Sequence, residues 1–200
     1  MESKVMYGVE ECPLWKHFRS GDESALATIF NEHYDSLYYY GKKLVQDEDL
    51  VKDCVQNLFV KIWTTREKLM AVKYVRPYLL KSLRRHIGDQ VIALNRNKSL
   101  QGQFQREFQI TFSHEDFLIS IQTTREQSEA LARSLNSLPS RQREAILLKF
   151  YEGLDYEKIA EVMALNVQSV RNLIHQSLKT IKNQLNLPTP ILINIESNRQ

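Results

Sequence analysis

The sequence predicts an all-α protein of two small helical domains joined by a polar linker. Apolar residues recur at spacings of three and four from 26 to 91 and again from 131 to 185, the period of amphipathic helices. Between them, 93–124 turns to Gln, Asn and Ser, with Phe104, Phe108, Phe112 and Phe117 scattered and no sustained period. The 200-residue chain is a quarter charged with 6 Gly and 5 Pro, enough for one good core or two small ones. The expected divisions are an N-terminal extension at 1–22, a first domain at 23–92, a linker at 93–125, a second domain at 126–187 and a tail at 188–200.

The first helix is expected over 23–45, where Leu26, Ile29, Phe30, Tyr34, Leu37, Tyr38, Gly41, Leu44 and Val45 track one face. A second follows at once: Asp47, Glu48 and Asp49 suit its first turn, where the helix dipole favours negative charge. Its apolar face is Leu50, Val51, Cys54, Val55, Leu58, Phe59 and Ile62. After a polar connection over 64–72, a third helix carries Val75, Leu79, Leu83, Ile87 and Val91, with Pro77 in its first turn. In the second domain Leu131, Leu135 and Leu138 mark one helix. Pro139 opens another through Ile146, Leu147 and Phe150, which Gly153 can end.

The segment 151–185 is the most informative. Asp155 can cap a helix over 156–163, and Asn166, closing the turn Ala164-Leu165-Asn166, can cap another from 167, the pattern of a helix-turn-helix. Val167, Val170, Ile174, Leu178, Ile181 and Leu185 form an apolar stripe on the last helix. Its other face carries Gln168, Arg171, Asn172, His175, Lys179 and Lys182 with no acid over 167–185, which suits a polyanion better than a merely solvated surface.

Net charge is only +3, yet 64–98 gathers Arg66, Lys68, Lys73, Arg76, Lys81, Arg84, Arg85, Arg96 and Lys98 against Glu67 and Asp89, a candidate footprint for nucleic acid. On the third helix Tyr74, Tyr78, Lys81 and Arg85 follow spacings of four, three and four, and rings beside cations suit unpaired bases, although both Tyr could equally rim the core. On the second, Asp49, Asp53, Gln56, Asn57 and Lys61 lie off the apolar stripe and could face a protein or only solvent.

No nucleophile-base pair, carboxylate dyad, metal-ligand spacing or glycine-rich phosphate loop stands out, so no catalytic residue, metal, cofactor or small-molecule substrate is expected. Cys12 and Cys54 are far apart and unlike in context, which argues against a disulfide or zinc site. Without a leader-like start or a span of roughly 20 apolar residues, a cytoplasmic protein is expected.

Three segments, taken in order, resemble the sigma-70 family of bacterial transcription initiation factors, in its extracytoplasmic-function group and the branch common in Bacteroidetes. DCVQNLFVKIW, starting at Asp53, is similar to the family's DLVQEVFLKLW; VRPYLLKSLR, starting at Val75, to VRSYLLKSVR; and LPSRQRE, starting at Leu138, to LPPRQRE. Asn57 stands where the family has an acid, Arg85 where Asn is common, Ala164 where a turn Gly is usual and Leu173 where many relatives have Arg. The resemblance makes the two domains sigma regions 2 and 4. It implies binding of core RNA polymerase, through the beta-prime clamp helices by Asp49, Asp53, Gln56, Asn57 and Lys61 and through the beta flap. It also implies reading of the melted minus-ten element by Lys73, Tyr74, Arg76, Tyr78, Lys81, Arg84 and Arg85. The minus-thirty-five element would be read by Gln168, Ser169, Arg171, Asn172, His175, Lys179 and Lys182. A membrane-anchored anti-sigma factor is the implied regulator. The competing readings are a stand-alone helix-turn-helix regulator, which needs no polymerase, and a helical nuclease, which needs an acidic cluster that the sequence does not offer.

Overall fold

The computed structural model describes residues 10–96, 108–118 and 125–185, and all regular secondary structure among them is helical. Nine α-helices follow in order among these residues: α1 Pro13–Arg19, α2 Glu23–Leu44, α3 Glu48–Thr64, α4 Val75–Arg96, α5 Glu115–Leu118, α6 Arg125–Asn136, α7 Ser140–Ile146, α8 Tyr156–Met163 and α9 Val167–Leu185. Phe104, Lys98 and the tail 188–200 lie outside the described residues.

Local chemistry sets the helix starts. The Asp22 side chain accepts from the Ser24 and Ala25 N–H groups, and Asp47 accepts from Leu50, so α2 and α3 each begin on an aspartate that satisfies otherwise unpaired donors. In the first domain α2, α3 and α4 pack pairwise around Ile29, Leu37, Val51, Val55, Leu79, Leu83 and Ile87. Gly41 is needed where α2 meets α3, because a Cβ there would stand 2.6 Å from Val51 Cγ1. Phe30, expected inside, is exposed and rests on Phe59, while Ala25 and Tyr40 take buried places on α2.

Two segments are more ordered than the sequence suggests. Within the expected extension, α1 buries Trp15 and Phe18 completely, the Trp15 indole N–H donating to the Met70 carbonyl at 3.0 Å and the Cys12 N–H to Val72 at 2.9 Å. Within the expected linker, Phe108, Ile110, Phe112 and Phe117 are core residues. The Asn136 side chain holds that segment as a strand partner would, accepting from the Phe112 N–H and donating to the Phe112 carbonyl, both at 2.8 Å. Their burial explains the order: four apolar side chains offset the entropy of fixing a short segment.

In the second domain α7 and α6 pack on α9, and α8 packs on both α9 and α4. The α7 helix runs on through a wide π turn, Leu147–Tyr151, and ends where Gly153 adopts φ +63°. Ala164, at the end of α8, is also left-handed (φ 53°, ψ 49°). There the Leu165 N–H reaches the Ala160 carbonyl and the Ala164 N–H reaches that of Glu161, the helix-ending motif that favours glycine. A left-handed alanine costs roughly 1–2 kcal/mol, part of which glycine returns through its freer unfolded chain. Ala164→Gly should therefore raise the free energy of unfolding by about 0.5–1 kcal/mol in a denaturant titration; a loss of stability would show that the turn is not left-handed in solution.

Candidate nucleic-acid interface

The α8–turn–α9 unit is capped at both starts. Asp155 accepts from the Lys158 N–H at 2.8 Å and pairs with the Lys158 ammonium at 2.7 Å; Asn166 accepts from the Ser169 N–H at 2.7 Å. Val170, Ile174 and Ile181 bury the inner face of α9 together with Ser177, whose hydroxyl donates to the Leu173 carbonyl. Gln168, Arg171, Asn172, His175, Lys179 and Lys182 are all on the exposed face, and Ser169 is half-buried at the cap. Near its N-terminal end the Gln168 amide donates to Asn172 at 3.0 Å. The Arg171 guanidinium lies over the Tyr156 ring and 3.9 Å from Glu157, so α8 supplies the acid that α9 lacks.

On α3, Asp49, Asp53, Gln56, Asn57 and Lys61 all face solvent. Val60, which sequence reasoning left out of this face, stands 55% exposed on the same helix. The face is thus acidic and amide-rich, with one exposed apolar side chain, Val60. Burial, with the Asp53 charge adding to it, pushes the Cys54 thiol behind this face up to about 11, which leaves it an inert core group.

The residues expected to meet the melted strand divide into four environments, and two of them, Lys73 and Tyr74, precede α4, which starts at Val75. Lys81 and Arg85 are exposed, Arg85 lying 3.9 Å from Asp89. Tyr78 does not share their surface: it packs edge-on against Trp15 at 5.1 Å, and burial raises its hydroxyl pKa, so the rim-of-core reading is the correct one for this ring. Tyr74 is half exposed, with Lys73 at one side and the Lys158 ammonium 3.9 Å from its ring centre.

Arg76 and Arg84 face the second domain. The Arg84 guanidinium donates to both carboxylate oxygens of Glu144, at 2.6 and 3.1 Å, and the Tyr40 hydroxyl donates to the same carboxylate at 2.7 Å. Burial works against the Arg84 charge, but the Glu144 hydrogen bond and charge outweigh it and hold the pKa raised; burial followed by the Glu144 charge drives that of Tyr40 well up. Arg76 donates to Glu152 and to the Ser36 hydroxyl, which itself donates to Glu152 at 2.6 Å. Both glutamates are nearly closed to water, at 2% and 3% exposure. Sequence reasoning missed both. The one available signal was an acid four residues before Leu148, in line with the buried stripe of α7; Glu152 offered none.

Among the described residues no group of His, Cys, Asp and Glu is placed to hold a metal, and no helix is long and apolar enough to cross a membrane.

Residues 128–181, α6 to α9, match the sigma-70 region 4 family. The chain is 24% identical over 163 residues to the RNA polymerase sigma factor SigV of Bacillus subtilis (strain 168), covering 82% of this chain and 92% of that protein. It is 20% identical over 177 residues to the ECF RNA polymerase sigma factor SigK of Mycobacterium ulcerans (strain Agy99), covering 86% and 91%. Two solved structures share the fold: CnrH in complex with the cytosolic domain of CnrY (TM-score 0.59, 20% identity, 86% of this chain and 95% of that one), and the sigma factor RpoE with the anti-sigma factor NepR from Bartonella quintana (0.57, 19%, 82% and 96%). The second domain thus matches sigma-70 region 4, and over most of its length the chain is similar to sigma factors, one of them of the extracytoplasmic-function group.

The α8 cap has a pH signature. Burial alone would raise the Asp155 pKa, but the Lys158 side chain and N–H outweigh it and hold it below the ordinary aspartate range. Its contribution to stability is therefore complete above that range and is lost as pH falls through the lowered value. Asp155→Ala should cost about 1 kcal/mol at neutral pH, and the deficit should shrink toward zero in acid; unfolding titrations of both proteins between neutral pH and strong acid check it, and a deficit independent of pH would contradict the capping role.

Proposed function

We propose that the protein is a transcription initiation factor that binds core RNA polymerase and directs it to promoters, reading an upstream minus-thirty-five element with α9 and the melted minus-ten element with α4. The observation that carries this reading is the capped helix-turn-helix within the sigma-70 region 4 match, whose second helix turns only amides, cations and a histidine outward over its first four turns. Amides and Arg171 at the start of α9 suit base edges in a major groove, and Lys179 further along suits a phosphate. The α3 face suits the beta-prime clamp helices and the second domain the beta flap. The protein acts in the cytoplasm and carries out no chemistry itself; it lends sequence specificity to polymerase. CnrH was solved with the cytosolic domain of CnrY and RpoE with the anti-sigma factor NepR, and a membrane-anchored anti-sigma factor is the regulator proposed here. The three sequence motifs support the Bacteroidetes-type branch.

Core polymerase plus this protein should initiate at discrete genomic sites, read by sequencing transcript 5′ ends, while the protein alone binds duplex weakly. Tight sequence-specific duplex binding without polymerase-dependent transcripts would instead favour a stand-alone regulator. Asp53→Lys should weaken the affinity for core in a pull-down titration and leave the helical content unchanged; equal affinity would remove the α3 face from the interaction.

The two ends of α9 are separable. Arg171→Ala should cost roughly 1–3 kcal/mol on the cognate upstream element and relax preference at one position. Lys179→Ala should weaken binding about equally on every sequence and lower the magnitude of the salt slope by about 1. Holoenzyme binding across single-base upstream variants at several salt concentrations measures both, and an exchange of the two behaviours would mean that α9 enters the groove reversed.

A further inference from the structure

The edge expected to meet the melted strand begins before α4, on residues 69–74, which follow the short 3-10 turn Arg66–Lys68 and have no helical structure of their own. Met70, Ala71, Lys73 and Tyr74 are exposed, Met70 at 83%, and only Leu69 and Val72 lean on the core. A stretch that buries so little is held in place by what bonds to it. Those bonds come from the start of the chain. The Trp15 indole N–H donates to the Met70 carbonyl at 3.0 Å and the Cys12 N–H to the Val72 carbonyl at 2.9 Å, so alternate carbonyls of the stretch are tied to α1 and its cap. Glu10 lies 3.9 Å from Lys73, and the buried Trp15 ring meets Tyr78 of α4 edge-on at 5.1 Å. A phenylalanine would fill most of the space that Trp15 fills; what the indole adds is the N–H donor. Every partner in this brace belongs to the first domain.

We propose, resting on the reading of Lys73 and Tyr74 as strand contacts, that Trp15 and the Cys12 N–H are positioning groups for base selection. They touch no DNA themselves. They set the height and direction of 69–74, so that Lys73 and Tyr74 stand ready for unpaired bases. A surface fixed in advance loses less freedom when the strand arrives, and it separates one base from another where a loose surface adapts to several. Residues 10–19, expected only as part of an extension, thereby take part in choosing the promoter.

The test uses the full chain and separates the hydrogen bonds from the packing. Trp15→Phe keeps an aromatic ring in the core and removes the N–H. Cys12→Pro removes the other N–H at a residue whose φ of −56° proline shares, and it leaves Trp15 in place. Ile87→Val, a core change about three turns along α4 from Val75, controls for lost stability. Tryptic cleavage after the exposed Lys68 and Lys73, located by mass spectrometry, should run about fivefold faster in both variants than in wild type or control, the factor that loss of one hydrogen bond gives to a local opening equilibrium. Base selection is read with core polymerase on fork templates of the strongest start site mapped with the wild type, the minus-ten segment left unpaired and varied one base at a time. Preference for the best base over the next should fall about threefold or more in both variants, while core affinity in a pull-down and preference across upstream-element variants stay at wild-type values. Should Trp15→Phe lose helical content, Cys12→Pro decides alone. Cleavage at the wild-type rate, or faster cleavage with base preference intact, overturns the role, and so does an equal loss of preference at both elements, the mark of general destabilisation. A wild type that starts no discrete transcripts sinks the initiation-factor reading and this role with it, whereas failure with wild-type transcripts intact sinks this role alone.

Discussion

The carboxylate of Glu144 fixes how the two halves of this protein sit together. It is buried, it accepts from Tyr40 on α2 and twice from Arg84 on α4, and it belongs to the first helix of the helix-turn-helix half that meets the first domain. A buried carboxylate without such partners would carry a desolvation cost of several kcal/mol. The helices that supply the partners are therefore tied to the helix that supplies the acid. Charge pairing of this kind adds little net stability, but removing one partner would leave a buried charge uncompensated. An apolar seam would tolerate sliding, whereas a bidentate pair with a third donor accepts one register. Glu152 repeats the device a short way along the same seam, and Asp116 repeats it on the connecting segment.

That constraint sorts the charged residues of the molecule into those that are free to meet a partner and those that are not. The α3 face and the outward residues of α9 lie away from the seam. Arg76 and Arg84 lie in it, and Tyr74 lies at its edge under Lys158. A factor that must find polymerase first and a melted strand later gains from having its first contact surface open and its last one closed. Exposed arginines and aromatics would otherwise bind any single strand, since stacking and backbone charge carry little sequence information.

Much of this was legible in the sequence, for identifiable reasons. Capping residues act locally, so Asp155 and Asn166 marked the starts of α8 and α9 and Gly153 the end of the preceding helix without knowledge of the fold. The helical period of α2, α3, α4 and α9 reflects burial on one face and is visible wherever that face is continuous. It failed where a segment is short. In α1 only Trp15 and Phe18 are buried, too few to set a period, and 108–118 contributes side chains from an irregular backbone that has none. Phe30 failed for the opposite reason: it sits in period with the stripe of α2 but at its margin, where Phe59 of α3 covers only part of it.

The candidate site was legible in residue type more than in placement. The amides and cations of α9 fall on one open face as the 3.6-residue period requires. For α4 the charges were legible but their partners were not, because Glu144 and Glu152 lie 60 and 76 positions from Arg84 and Arg76 and no local pattern reports a contact across that separation. The view of a chain that docks through α3 and then opens is tested most directly by hydrogen–deuterium exchange of the full-length protein, alone and with core polymerase. Addition of polymerase should slow exchange in α3 around residues 49–61 and speed it in 108–118 and in the turn between α7 and α8. Unchanged exchange in α3, or slower exchange at 108–118 in the complex, would contradict it.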